Sequence, residues 1–199
     1  MQNLESLNQS LFLYLNANTT SSPWAITIGT YLAEDLIYLV PVLLVALWIF
    51  YGTKIKALCL EVCLVALLGL GINQLIGLIW QHPRPFMIPL GYTWLPHVAD
   101  SSFPSDHVTV FAALIIAFWF EGAVRLALLA FLAGLVTAWA RIYSGVHFPL
   151  DMIGALASAG CAFLVISPLW SRFGSVMTRH VIEIYEGFLA LLRWSGRRR

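Results

Sequence analysis

The chain has 199 residues, of which 60% are hydrophobic and 11% are charged, and its formal net charge is +1. A soluble domain of this length would contain about 25% charged residues, so this composition excludes an ordinary soluble fold. No basic run has the length or the interleaved aromatic residues that nucleic-acid binding would require.

The apolar runs predict an all-α polytopic membrane protein that forms a single domain over residues 1–199. About 20 apolar residues cross a bilayer as a helix. Five transmembrane helices are predicted, the third of them short, at 24–50, 55–80, 105–120, 126–143 and 149–170. The two ends, 1–20 and 171–199, are predicted to form amphipathic surface helices, the second of them a tail with a basic end.

The distribution of basic residues predicts the orientation. Nine of the eleven Lys and Arg residues fall on one side of the five-span arrangement: Lys54, Lys56, Arg125, Arg172, Arg179, Arg193, Arg197, Arg198 and Arg199. Cytoplasmic loops carry the excess of basic residues, so this side is predicted to be cytoplasmic, with the N-terminus outside and the C-terminus inside. Arg84 and Arg141 remain on the outer face.

Three polar segments lie at the outer ends of the predicted spans. The first is Pro83-Arg84-Pro85, in which the second proline restricts Arg84 to an extended backbone. The second, Pro104-Ser105-Asp106-His107, opens the third span with Ser105 as a natural N-cap. The third joins spans four and five and runs from Arg141 through His147 to Asp151.

Together these segments supply the groups that phosphoryl transfer requires. Two guanidiniums can bind phosphate oxygens, and a helix N-terminus is an anion-binding site. Asp151 follows His147 by four residues and can orient its imidazole, which makes the other ring nitrogen a better nucleophile or base. No acidic cluster has metal-ligand spacing, so the sequence predicts metal-free chemistry without a cofactor.

The order Arg-Pro, Pro-Ser-x-His and Arg-x5-His-x3-Asp on successive spans resembles the type 2 phosphatidic acid phosphatase superfamily. The segments HPRPF, HVADSSFPSDH and ARIYSGVHFPLD are more narrowly similar to the bacterial undecaprenyl-diphosphatases that confer bacitracin resistance. This resemblance implies an inner-membrane enzyme whose site faces the periplasm. Its substrate would be a polyprenyl diphosphate, the lipid carrier that is recycled for cell-wall peptidoglycan synthesis. No obligatory protein partner is indicated.

The resemblance also implies a role for each motif residue. His147 would attack the terminal phosphorus and form a phosphohistidine, with Asp151 orienting it. His107 would protonate the leaving oxygen and then activate water. Arg84, Arg141 and Ser105, with backbone N–H groups near Asp106, would hold the phosphoryl oxygens as charge shifts in the transition state.

The sequence departs from the superfamily pattern at two positions. A lysine usually stands seven residues before the first arginine, and here that position is Gly77. Gln74, Gln81 and His82 are open candidates to compensate for it. The second motif usually reads Ser-Gly-His, and here Asp106 replaces the glycine. A carboxylate beside an anionic substrate is unfavourable unless it points away or accepts a hydrogen bond.

The remaining polar residues leave alternatives open. Glu34 and Asp35 lie in the first span, where carboxylates are costly, and one of them is predicted to contact the active-site loop. His97 and His180 are interpreted as ordinary hydrogen-bonding histidines.

On the same fold, a phosphatidate or phosphatidylglycerophosphate phosphatase, or a lipid-to-lipid phosphotransferase, is the alternative function. A small transporter with Glu34, Asp35 and Glu61 as its ion path is a remote one.

Overall fold

The structure is a computed structural model that describes the backbone of residues 2–196 and the side chains of residues 3–192. This part of the chain is helical and contains no strand. In chain order the helices are α1 (Gln2–Leu15), α2 (Pro23–Glu34), α3 (Leu39–Phe50), α4 (Thr53–Ile79), α5 (Asp106–Phe120), α6 (Val124–Tyr143) and α7 (Pro149–Gly196), with short 3-10 turns at Leu36–Tyr38 and Pro85–Met87.

The helices confirm a polytopic membrane protein. Within the described residues, four helical segments are long and apolar enough to cross a bilayer: Pro23–Phe50, Thr53–Ile79, Val124–Tyr143 and Pro149–Leu192. Helix α5 has 15 residues and is about 22 Å long, less than the ~30 Å hydrocarbon core. It corresponds to the short third span of the prediction.

Helix α5 lies at the centre of the molecule and packs against α4, α6 and α7. Its buried residues include Phe111, Leu114 and Phe118, each at most 3% exposed. Small residues on the neighbouring helices allow close approach. A Cβ at Gly69 would stand 2.9 Å from Thr109 Cγ2, and a Cβ at Gly134 would stand 2.9 Å from Phe111 Cβ. Protein therefore surrounds most of α5, while Trp119 and Phe120 at its C-terminal end are exposed.

The first span was predicted as one helix over residues 24–50, but the structure shows that it is interrupted. Helix α2 ends at Glu34, a 3-10 turn follows, and α3 begins at Leu39. Pro41 lies in the first turn of α3 and has no N–H group, and its ring would clash with the carbonyl of residue 37 in an unbroken helix. The break therefore stands one turn before the proline.

The boundary predicted between a span at 149–170 and a separate tail helix at 171–199 is absent. Helix α7 is continuous through Pro168 to Gly196. Contacts with the ends of α3 and α4 explain its length: Tyr185 stacks edge-on against Trp48 at 5.8 Å, and Lys56 Nζ lies 5.5 Å from the Tyr185 ring centroid. Residues 197–199 and the side chain of Arg193 lie outside the described residues.

Helix α1 packs against α6 and the start of α7, so it is more than a surface helix. Phe12 is fully buried against Phe148, with ring centroids 5.3 Å apart. Asn8 Oδ1 accepts a hydrogen bond from Leu150 N at 3.0 Å. Just beyond the helix, Asn16 bonds the backbone of both Tyr92 and Tyr143. The exposed face of α1 carries leucines, including Leu4, Leu7 and Leu11.

Candidate active site

A cavity of about 500 Å³ lies where the end of α4, the start of α5, the end of α6 and the loops between them meet. Four of the predicted residues line it together although they are far apart in the sequence: Arg84, His107, Arg141 and His147. Asp106, Gln74, Gly77 and His82 also line this cavity. The structure thus brings the three motifs to one place.

His147 lies in the turn between α6 and α7 and is 1% exposed. Its Nε2 is 3.1 Å from Arg84 Nη1 and 3.3 Å from Arg141 Nη2. A guanidinium can only donate, so Nε2 accepts and Nδ1 carries the ring hydrogen. Burial, then the charges of Arg141 and Arg84, hold the pKa of His147 well below its usual value. The imidazole is therefore neutral, and its Nε2 lone pair faces the two guanidiniums.

Asp151 fixes this tautomer of His147. Its Oδ2 lies 3.0 Å from His147 Nδ1 and accepts that ring hydrogen. The same oxygen accepts a bond from Phe148 N at 2.8 Å and a very short one from Ser102 Oγ. Asp151 is 1% exposed, and its three donors hold the carboxylate in one orientation. The sequence did not indicate Ser102.

Arg84 is held by several acceptors in addition to His147. Its Nε donates to Asp100 Oδ1 at 2.7 Å, and its Nη1 donates to Val146 O at 2.9 Å. The Asp100 side chain is 58% exposed, whereas that of Arg84 is 6% exposed. The ion pair therefore lies at the mouth of the cavity. Asp100 is a second residue that the motif analysis missed.

Arg141 is bound differently from Arg84. It is 2% exposed, and in the described part of the chain no carboxylate bonds it. Its Nη1 donates to Ala33 O at 3.3 Å, its Nη2 contacts His97 Nε2 at 3.1 Å, and its Nε is buried without a partner. An unpaired buried N–H beside a cavity is a donor available to a bound oxygen.

The second motif begins α5 as predicted, but the capping bond differs. Ser105 occupies the N-cap position without a side-chain capping bond, and its buried hydroxyl has no partner. The Asp106 carboxylate accepts bonds from Asn73 Nδ2 at 2.8 Å and Gln74 Nε2 at 3.3 Å. Two amide donors on α4 thus offset the charge that Asp106 introduces. Asn73 also donates to Thr109 Oγ1, and the sequence analysis did not single it out.

The accessory residues lie at the edge of the site. Gln74 is bonded to Asp106, and His82 Nε2 lies 3.6 Å from the Glu5 carboxylate on α1. Glu34 and Asp35 are both exposed, and in the described residues neither side chain has a hydrogen bond to the active-site loop. The predicted contact therefore stays a prediction, and the charge of Glu34 acts on Arg141 without a hydrogen bond. The neighbouring Ala33 carbonyl accepts a hydrogen bond from Arg141.

His97 is the largest departure from the prediction at this site. It was interpreted as an ordinary hydrogen-bonding histidine, yet it lines the cavity, and its ring centroid is 6.4 Å from that of His147. It belongs to a loop between α4 and α5 that no periodic pattern marks. Its position beside Arg141 depends on how that loop folds back over the site.

In the described residues, no group of three or more His, Cys, Asp or Glu side chains could hold a metal ion. The charged groups that face the cavity are instead arranged to receive an anion. Guanidinium donors and a helix N-terminus converge near one neutral imidazole, the arrangement that binds a phosphoryl group and presents it to a nucleophile.

Comparisons with known proteins agree with this geometry. The chain is 36% identical over 188 residues to the "Putative undecaprenyl-diphosphatase YbjG" of Escherichia coli, covering 94% of this chain and 95% of the relative. It is 31% identical over 186 residues to the "Undecaprenyl-diphosphatase BcrC" of Bacillus subtilis, covering 92% and 94%.

The crystal structure of Aquifex aeolicus LpxE shares the fold, with a TM-score of 0.66 at 24% identity, covering 81% of this chain and 95% of that one. The family model described as the PAP2 superfamily matches residues 58–174, which include all three polar segments. The chain is therefore a member of the PAP2 superfamily.

Proposed function

We propose that this protein is an undecaprenyl-diphosphate phosphatase that releases the terminal phosphate of the lipid carrier and leaves the monophosphate. The names of the two relatives, both undecaprenyl-diphosphatases, support the substrate class. The observation that carries the chemistry is the environment of His147: a neutral imidazole with Nδ1–H on Asp151 and Nε2 between two guanidiniums. A phosphoryl group bound by Arg84 and Arg141 would lie against this lone pair.

The proposed reaction has two steps. In the first, His147 Nε2 forms a bond to the terminal phosphorus, and the bond from that phosphorus to the bridging oxygen breaks. The lipid monophosphate leaves, and Asp151 stabilises the charge on the imidazole. In the second, water attacks the phosphohistidine, the phosphorus–nitrogen bond breaks, and inorganic phosphate is released. His107, in the first turn of α5 at the cavity, gives the leaving oxygen a proton and then takes one from the water.

The proposed site faces the periplasm of a bacterial inner membrane. Lys54 and Lys56 begin α4 and Arg125 begins α6, at the ends opposite the cavity. Arg172 and Arg179 lie in the distal part of α7. The positive-inside rule assigns these ends to the cytoplasm and supports a cytoplasmic C-terminus. The apolar outer surfaces of the spans would accommodate the isoprenoid tail.

A substrate comparison with purified protein tests the function. We expect phosphate release from polyprenyl diphosphate, unchanged by EDTA, at a higher kcat/KM than from phosphatidate or phosphatidylglycerophosphate. A second arm adds an acceptor lipid and follows the fate of the terminal phosphate.

Preference for a monophosphate ester would assign a different lipid phosphatase activity. Transfer of the phosphate to the acceptor would assign a phosphotransferase. Loss of turnover in EDTA that is restored by one metal would overturn the metal-free mechanism. Absence of hydrolysis, together with ion flux in vesicles, would favour the transporter alternative.

The role of His107 predicts a dependence on the leaving group. A phosphate leaving group needs less protonation than an alkoxide, so His107→Ala should slow diphosphate hydrolysis less than phosphatidate hydrolysis. We expect a loss of about 10-fold for the diphosphate and about 100-fold or more for the monophosphate ester, measured as kcat on each substrate. If water activation limits both reactions, the losses converge, and equal losses would show that proton donation is not the distinguishing role of His107.

A further inference from the structure

The two arginines of the site differ in the charge of the groups that bond them. Arg84 is paired with the Asp100 carboxylate at 2.7 Å, which offsets part of its charge. Arg141 bonds only neutral groups in the described residues: the Ala33 carbonyl, His147 and His97. Arg84 therefore has a directly bonded carboxylate, whereas the carboxylates whose charge acts on Arg141, those of Glu34, Asp106 and Asp100, are not hydrogen-bonded to it.

The ring of His97 is an acceptor toward Arg141. Its Nδ1 lies 3.1 Å from the Val98 carbonyl and donates to it, so Nε2 carries the lone pair that accepts from Arg141 Nη2. Burial, and then the charges of Arg84 and Arg141, lower the pKa of His97, against the raising effect of the Val98 carbonyl and Asp100. The neutral tautomer in this arrangement agrees with that direction.

The loop that carries His97 is fixed at both ends. Trp94 N donates to Ser144 O at 3.0 Å, next to the turn that carries His147, and Ser102 N donates to His82 O at 2.8 Å. Leu95 is 6% exposed and packs with Val146. These contacts fix the loop and hold the His97 imidazole at the cavity.

We propose that His97 is a positioning residue that aims the Arg141 guanidinium at the substrate phosphate without cancelling its charge. This inference rests on the proposed function of the same site. A carboxylate at this place would also hold the guanidinium, but it would compete with the incoming phosphate. A neutral acceptor holds Arg141 Nη2 between His97 and His147 and leaves the guanidinium charge, with the unpaired Nε–H, for the phosphoryl oxygens.

Three substitutions of His97 separate acceptor, charge and packing. His97→Gln keeps a neutral acceptor near the position of Nε2 and should retain kcat/KM within about threefold. His97→Leu removes the acceptor and should lower kcat/KM on polyprenyl diphosphate by about 10- to 100-fold, mostly in kcat. His97→Glu keeps an acceptor but adds a negative charge, and should raise KM and the inhibition constant of orthovanadate about tenfold or more. His180→Leu, on the exposed part of α7, is the matched control.

The rise in melting midpoint that orthovanadate causes gives a readout independent of turnover. We expect this rise to be kept in His97→Gln and reduced in His97→Leu and His97→Glu. Wild-type turnover in His97→Leu would overturn the inference, as would equal losses in the Gln and Leu variants. If the wild-type protein binds orthovanadate but does not hydrolyse polyprenyl diphosphate, the proposed function fails, while the vanadate series still decides the role of His97.

Discussion

Replacing His147 should abolish phosphate release and leave the protein folded. We expect kcat on polyprenyl diphosphate to fall by at least about 10⁴-fold. The covalent route disappears, and no equivalent nucleophile replaces His147 beside the two guanidiniums. His147→Gln is the sharper variant, since its side-chain oxygen can still accept from Arg84 and Arg141. His147→Ala removes the acceptor that the two guanidiniums share, and leaves Arg84 Nη1 with Val146 O and Arg141 Nη2 with His97.

Two measurements check this prediction of the nucleophile. Steady-state phosphate release gives the loss of turnover, with His180→Ala as a histidine control on an exposed surface. Rapid alkaline quenching of the wild-type protein with substrate labelled in the terminal phosphate should trap a base-stable, acid-labile phosphoenzyme that is missing in His147→Gln. Substantial turnover in both His147 variants, with intact folding by melting midpoint, would remove His147 as the nucleophile.

Asp151→Asn should have the second largest effect. The Asp151 carboxylate accepts the Nδ1 hydrogen of His147 and so keeps Nε2 free for attack. An amide at this place no longer enforces that tautomer and no longer stabilises a positive imidazole. Replacement of such a carboxylate by an amide lowers kcat by about 10⁴-fold in a serine protease, and we expect a loss of about 10²- to 10⁴-fold here.

The matched control for this substitution is Ser102→Ala. It removes one donor to the same carboxylate oxygen but leaves the negative charge and the bond to His147, so its loss of kcat should stay within about 10-fold. Phosphate release by the two variants, compared at equal melting midpoint, measures the contrast. An Asp151→Asn variant that is as active as Ser102→Ala would show that the carboxylate charge does not support catalysis.

Much of the fold was predictable because bilayer crossing is a local property of the sequence. The lengths of the apolar runs predicted the helices α4 and α6 to within about two residues. The internal break of the first span follows from a local feature, Pro41, which the length argument did not use. Beyond residue 170, α7 contacts Trp48 and Lys56 through Tyr185, more than 100 positions away in the sequence, and no local pattern shows that contact.

Part of the site was also predictable from the sequence. Spacing alone placed Asp151 one helical turn after His147, and the prolines marked the segments that carry Arg84 and Ser105. The residues that the motifs missed, Asn73, His97, Asp100 and Ser102, share one property. Each acts on a motif residue across at least 16 positions in the sequence, and hydrogen bonds at that separation depend on the path of a loop.

The amino-acid sequence by itself determined that the chain crosses a membrane several times and carries its unusual cations and imidazoles at one end of the spans. Hydropathy and short-range spacing contain that information because they act within a few helical turns. Only the tertiary structure decided which partner holds each guanidinium, since Arg84 and Arg141 meet at His147 through loops whose folding depends on contacts from α1 to α7. The packing of these helices and loops therefore determines how much of the arginine charge is available to a bound phosphate.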